Sequence, residues 1–177
     1  RAPLGLCPPR LWAGLRLGSA AGVVAAAAIA ATTPVPPVRL SMAVRDLPVS
    51  APSWLVLRIP VGTVWAEEAA FRAALATAGA GAFGKFGGRL LQAAAFGLFH
   101  VADARATGEP VVATVLATGV GGWVFGWLAE RSGSLAAPML VHLAINEAGA
   151  VAALTVQRRA TGVMAPCGCS QLRDFAV

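Results

Sequence analysis

Long apolar stretches that show no strand-like alternation limit what this chain can fold into more than any other feature. Residues 11–31, 111–128 and 136–154 are each about as long as a bilayer-crossing helix, because ~30 Å of hydrocarbon takes ~20 residues at ~1.5 Å per residue. Inside a bilayer every backbone N–H and C=O needs a partner within the protein, so only helices and closed barrels cross it. Continuous Ala, Leu and Val runs lack the two-residue period of a barrel strand. The expected fold class is therefore all-α, a polytopic transmembrane helical bundle of about five helices. Composition agrees: 57% of residues are hydrophobic and 12% charged, where a soluble domain carries about 25% charged residues.

The charge distribution excludes one class of partner. Fourteen Lys and Arg against eight Asp and Glu give a net charge of +6, but the cations are scattered singly among apolar runs. A nucleic-acid interface needs a basic stripe, and there is none. The cations read instead as headgroup contacts with the lipid bilayer. They do not fix orientation, because six (Arg1, Arg10, Arg16, Lys85, Arg89, Arg131) fall on one side of a five-helix layout and six (Arg39, Arg45, Arg105, Arg158, Arg159, Arg173) on the other. Cys7, Cys167 and Cys169 form neither a CxxC pair nor a disulfide framework.

Along the chain, residues 11–31 form the first apolar helix. A cleaved signal peptide is the second reading of that stretch. Residues 34–52 are rich in proline and read as an interfacial loop. Residues 54–80 form a helical run carrying Arg58, Pro60, Glu67, Glu68 and Arg72, too much charge for a lipid-facing surface. A glycine-rich turn over 79–88 follows, then a short helix over 90–101 and a charged loop over 103–110. The clean span 111–128 contains Gly122 and Gly126 in a GxxxG spacing that permits close helix contact. A tight turn over 132–135 leads into the last span, 136–154, which Arg158 and Arg159 stop at the headgroups. The tail beyond 160 reads as loose.

Ionisable groups inside membrane helices cost ~2.5–3.5 kcal/mol on insertion scales and are functional candidates by default. That filter leaves few residues. The only two histidines, His100 and His142, both lie in apolar helical stretches, as do Glu67 and Glu68, and Asn146 and Glu147 follow His142 by about a turn. Glu68 and Arg72 are four apart and can pair, whereas Glu67 is rotated by ~100° and left free. Glu67 is therefore the expected general base, acting on water. His142 and Asn146, also four apart, can donate together to a developing oxyanion. Phe96, one turn before His100, can restrict that ring's orientation. There is no HExxH and no GxSG nucleophile, and Asp46, Asp103 and Asp174 lie outside the helices, so water activated by glutamate with histidine help is what remains. Zn²⁺ held by two histidines and a glutamate is the alternative, left open by spacing.

Three motifs occur in order: Glu67-Glu68-Ala69-Ala70-Phe71-Arg72 as EExxxR, Phe96 to His100 as FxxxH, and His142 to Asn146 as HxxxN. The set resembles the CPBP family of intramembrane peptidases, which includes type II CAAX prenyl proteases and bacteriocin-processing or immunity proteins. The resemblance implies a water activated by Glu67 with His100, an oxyanion site of His142 and Asn146, support from Glu68 and Arg72, and no obligatory metal. Ala73 stands where many relatives have Gly, and helices that relatives carry upstream are expected to be missing from the short region before Pro52. The implied organisation is an N-terminal membrane helix and linker over 1–52, a peptidase core over 53–159 and a flexible tail over 160–177.

The expected activity is endoproteolysis of a peptide or membrane-protein substrate. The Ala-, Val- and Arg-heavy composition suggests a bacterial inner membrane, where a prenylated substrate is not expected. Two readings from other classes compete: a non-catalytic immunity or scaffold protein with the same polar core, and a metal-binding protein using His100, His142, Cys167 and Cys169.

Overall fold

A computed structural model of the chain describes residues 4–5 and 7–163. The described residues are mostly helical and contain no strand. The elements are α1 (Pro8–Thr32), α2 (Pro36–Val44), α3 (Ala51–Ser53), two wide π-helical stretches (Trp54–Trp65 and Glu68–Leu75), α4 (Ala76–Phe99), α5 (Val101–Thr107), α6 (Val111–Ser132) and α7 (Ala136–Val163). Residues 164–177 of the expected tail, with Cys167 and Cys169, lie outside the described residues.

Among the described residues, three helices are long and apolar enough to cross a membrane: Pro8–Thr32, Val111–Ser132 and Ala136–Ala160. Only 17%, 22% and 28% of their most apolar windows are buried inside the fold, so most of that apolar surface has no protein partner. Val23, Val24, Val112, Leu116 and Val120 all face outward. Lipid is the solvent that matches such a surface, and the chain is an integral membrane protein.

Small residues set how closely these helices approach. Gly14, Gly18 and Gly22, spaced by four, bury one face of α1. A Cβ on Gly18 would come within 2.8 Å of the Ala137 backbone, so α1 lies directly against α7. The GxxxG on α6 behaves in the same way: Gly122 faces Phe96 and Ala93, and Gly126 faces Gln92 and Arg89. α6 and α4 therefore run antiparallel in close contact. On the α4 side Gly97 completes the seam, with a hypothetical Cβ 2.6 Å from the Val115 carbonyl oxygen.

The glycine-rich turn narrows to one residue. Gly84 adopts φ 74° and ψ 171°, a conformation closed to most L residues, and divides α4 into 76–83 and 85–99. The chain doubles back there, since Gly79 and Gly88 meet across the hairpin at 3.0 Å from built Cβ to Cα.

Two expected loops are partly helical. Within 34–52, Pro36 and Pro37 occupy the first turn of α2, where a missing N–H is harmless. Gln157 Nε2 on α7 donates to the carbonyls of Met42 (3.0 Å) and Arg45 (2.7 Å), holding the end of α2. Within 103–110, α5 continues to Thr107 and stops at Gly108, whose φ of 71° forms a left-handed cap. The turn over 132–135 is as expected, with the Ser132 hydroxyl accepting from Ser134 N–H at 3.2 Å.

Candidate active site

The segment carrying Glu67 and Glu68 is not an ordinary α-helix. Pro60 lies within its first π-helical stretch; proline removes an N–H and crowds the preceding turn, and a wider turn relieves both problems. Wide turns continue over Glu68–Leu75. With more residues per turn, successive side chains are closer in azimuth, and both glutamates reach α7. π-Helical turns recur at functional sites for this kind of reason.

His142 is the point of convergence. Its Nδ1 is 2.8 Å from Glu68 Oε1, and its Nε2 is 3.7 Å from Glu67 Oε2. The carboxylate of Glu68 is fully buried and also paired with Arg72 Nη1 at 3.1 Å, as its i,i+4 spacing requires. An ionised carboxylate only accepts, so His142 donates through Nδ1–H and directs Nε2 at Glu67. The 3.7 Å gap exceeds a hydrogen bond and is short enough for one water to touch both atoms from the side. Glu67 is the more accessible carboxylate, with 14% of its side chain exposed, and its Oε2 has no hydrogen-bond partner. Arg58 forms no ion pair with it.

Phe96 ties the second histidine to this centre. Its ring lies edge-on to His100 at 4.7 Å and to His142 at 6.0 Å between centroids. His100 Nδ1 is 2.8 Å from the Phe96 carbonyl oxygen. A carbonyl accepts only, so Nδ1 carries a proton, and Nε2 is the nitrogen that bears the lone pair in the neutral ring. His100 and His142 both lie within electrostatic reach of the Glu67 carboxylate. The Arg72 guanidinium sits 4.0 Å from the Phe96 ring centroid and 5.0 Å from that of Phe125, so π faces take the place of hydrogen bonds for this 5%-exposed cation.

Asn146 departs from its expected pose. It lies one turn along the His142 face, but its Nδ2 donates to the His142 carbonyl at 3.1 Å. In this state the amide serves its own helix backbone.

Two residues of the site escaped the sequence reading. Phe125 stacks on His142 at 5.1 Å with 29° between planes. Gln92 is completely buried and donates through Nε2 to the carbonyls of Gly122 (2.9 Å) and Arg89 (3.0 Å), clamping α4 to α6 behind Arg72. A lone amide in an apolar run carries the same signal that singled out the histidines. No group of three His, Cys, Asp or Glu side chains among the described residues is arranged to hold a metal ion.

The family model for type II CAAX prenyl endopeptidases, Rce1-like, matches residues 49–148. The chain belongs to that family. The matched stretch contains the EExxxR, FxxxH and HxxxN motifs, and it agrees with the resemblance those motifs carry. No curated protein and no solved structure matches the chain. The Rce1-like stretch runs from just before α3 to the middle of α7, taking in every residue of the cluster around His142. Membership places the chain among membrane-embedded CAAX-type proteases, which act on peptide substrates.

Proposed function

We propose that the chain is an intramembrane endopeptidase in which Glu67 activates the attacking water. The observation that carries this reading is the placement of Glu67 Oε2, unpartnered and 3.7 Å from the Nε2 of a histidine that Glu68 holds by its other nitrogen. A water at that gap gives its proton to Glu67 as its oxygen attacks a peptide carbonyl. His100, with Nε2 free as a base, shares that proton. The same proton passes to the leaving amine as the C–N bond breaks.

His142 serves the oxyanion. To donate through Nε2 while Nδ1–H is committed to Glu68, the ring must be an imidazolium. The Glu68 carboxylate at Nδ1 is the counter-charge that ring meets, and Arg72 shares the same Glu68 oxygen. Asn146 Nδ2 becomes the second donor by exchanging the His142 carbonyl for the substrate oxygen. The water needs no metal in this scheme. The substrate class is a peptide or membrane protein presented within the bilayer, and the expected setting is a bacterial inner membrane.

The test is cleavage of a reporter membrane peptide by the full chain in proteoliposomes. Glu67→Gln and His100→Ala each abolish cleavage while helicity and oligomeric profile stay unchanged. Retained turnover in either variant sinks the assignment, whereas no cleavage by the parent, with assembly that survives Glu67→Gln, favours the scaffold reading.

A further inference from the structure

On the Arg72 side of the cluster lies a cavity of about 640 Å³ that the peptidase chemistry leaves unused. Its wall carries the cations Arg10, Arg72, Lys85, Arg89 and Arg131 and the carboxylate Glu130. Glu130 is engaged by Arg89 at 3.3 Å. Arg10, Lys85 and Arg131 make no ion pair among the described residues. The donors Arg72 Nε and Arg89 Nε are buried in the same wall without hydrogen-bond partners. Buried donors of this kind are rarely left unmatched, and an excess of positive charge in a cleft selects an anion.

Position narrows the class of anion. The cavity sits at the end of the bundle where α1 begins, α4 turns at Gly84, and α6 ends at Gly133. For a protein that crosses the bilayer with α1, α6 and α7, that end lies at headgroup level. Aromatic side chains stand beside it as they do at membrane interfaces: Phe86 packs on Trp123 at 5.3 Å, Arg89 stacks over Trp123 at 4.1 Å, and Phe83 and Trp127 are exposed. Basic pockets between spanning helices take anionic headgroups, and arginine forks match phosphate oxygens.

We propose that this cavity is a binding site for the phosphate of an anionic phospholipid, with the acyl chains lying along Phe86 and Trp123. Lys85, Arg89 and Arg131 hold the phosphate, and Arg72 forms the inner wall. The site is separate from the peptidase centre. Glu67, His100 and His142 do not line it, and the two meet only at Arg72.

The test uses the purified full chain in detergent and native mass spectrometry with phosphatidylglycerol or phosphatidylcholine added. The parent retains phosphatidylglycerol in preference to phosphatidylcholine. The double variant Lys85→Ala and Arg131→Ala, both exposed positions, loses roughly tenfold in that retention. A control with equal charge loss, Arg39→Ala and Arg105→Ala, keeps the parent's retention. Equal retention by the parent and the cavity variant overturns the proposal, as does an equal loss in the control. Inorganic phosphate binding at the same concentrations without any lipid preference overturns it as well. Displacement by a short peptide with a free C-terminal carboxylate, but not by its amide, would assign the cavity to a peptide end instead. The Glu67→Gln protein is expected to keep lipid while losing cleavage, so the two readings fail independently.

Discussion

Glu68 and His142 meet at 2.8 Å across 74 positions of sequence, and the same glutamate oxygen holds Arg72 at 3.1 Å. One buried atom therefore neutralises a cation and orients an imidazole. Glu68→Gln keeps the shape and removes the charge, leaving Arg72 buried without a counter-ion. We expect a loss of about 3–5 kcal/mol in stability, read by thermal or denaturant unfolding. Arg72→Met is expected to cost a similar amount. The double variant should recover much of the stability while cleavage stays depressed by about ten- to a hundred-fold, since His142 has lost its charged partner. Strictly additive stability losses would argue against the shared oxygen.

Phe96 is a platform for three groups: His100, His142 and Arg72 all contact its ring. Phe96→Leu retains most of the volume and removes the flat face. Stability is expected to fall by up to about 1.5 kcal/mol. The turnover number should drop more than stability predicts, because His100 loses its orienting edge. An unchanged kcat in proteoliposomes would show that the ring only fills space.

The glycines give a contrast in sign. A Cβ on Gly88 would stand 2.5 Å from the Ala80 backbone nitrogen and 2.8 Å from the Ala76 carbonyl oxygen. Gly88→Ala must force the hairpin apart and is expected to cost about 1–3 kcal/mol. Gly62, inside the π-helical stretch, has nothing within 4 Å. Gly62→Ala is expected to raise stability by about 0.4–1 kcal/mol by restricting the unfolded chain. Unfolding midpoints of the two variants should move in opposite directions.

The apolar runs in the sequence made α1, α6 and α7 legible, because span length and the absence of charge depend on local residues. The Glu68–Arg72 pair was also legible, being a matter of i,i+4 spacing. The Glu68–His142 contact was not, since nothing local relates positions 74 apart. Asn146 shows the same limit: its spacing from His142 places it on the right face but does not tell which acceptor its amide takes. The helices α2 and α5 were hidden by proline and charge, both of which signal loops unless the proline sits in the first turn or tertiary contacts hold the ends. The Gly14, Gly18 and Gly22 stripe was readable by its spacing of four and went unread.

Metal dependence separates the two chemistries that spacing left open. On the glutamate reading, dialysis of the purified chain against a strong zinc chelator leaves cleavage rates within about twofold. Loss of activity with chelator and its return on adding Zn²⁺ would establish the metal-assisted route. Metal analysis of the dialysed, active protein provides the matching check.

The carboxylates on the π-helical segment and the imidazole on α7 come from opposite ends of the matched region. A nascent chain inserts the glutamates first, and at that stage Glu68 has only Arg72 for company. The proposed oxyanion donors, His142 and Asn146, arrive when α7 docks against α1 through Gly14, Gly18 and Gly22. On the proposed mechanism, proteolytic competence therefore waits for the last described helix, and a polypeptide that has not yet docked it is expected to be inert toward its own membrane segments.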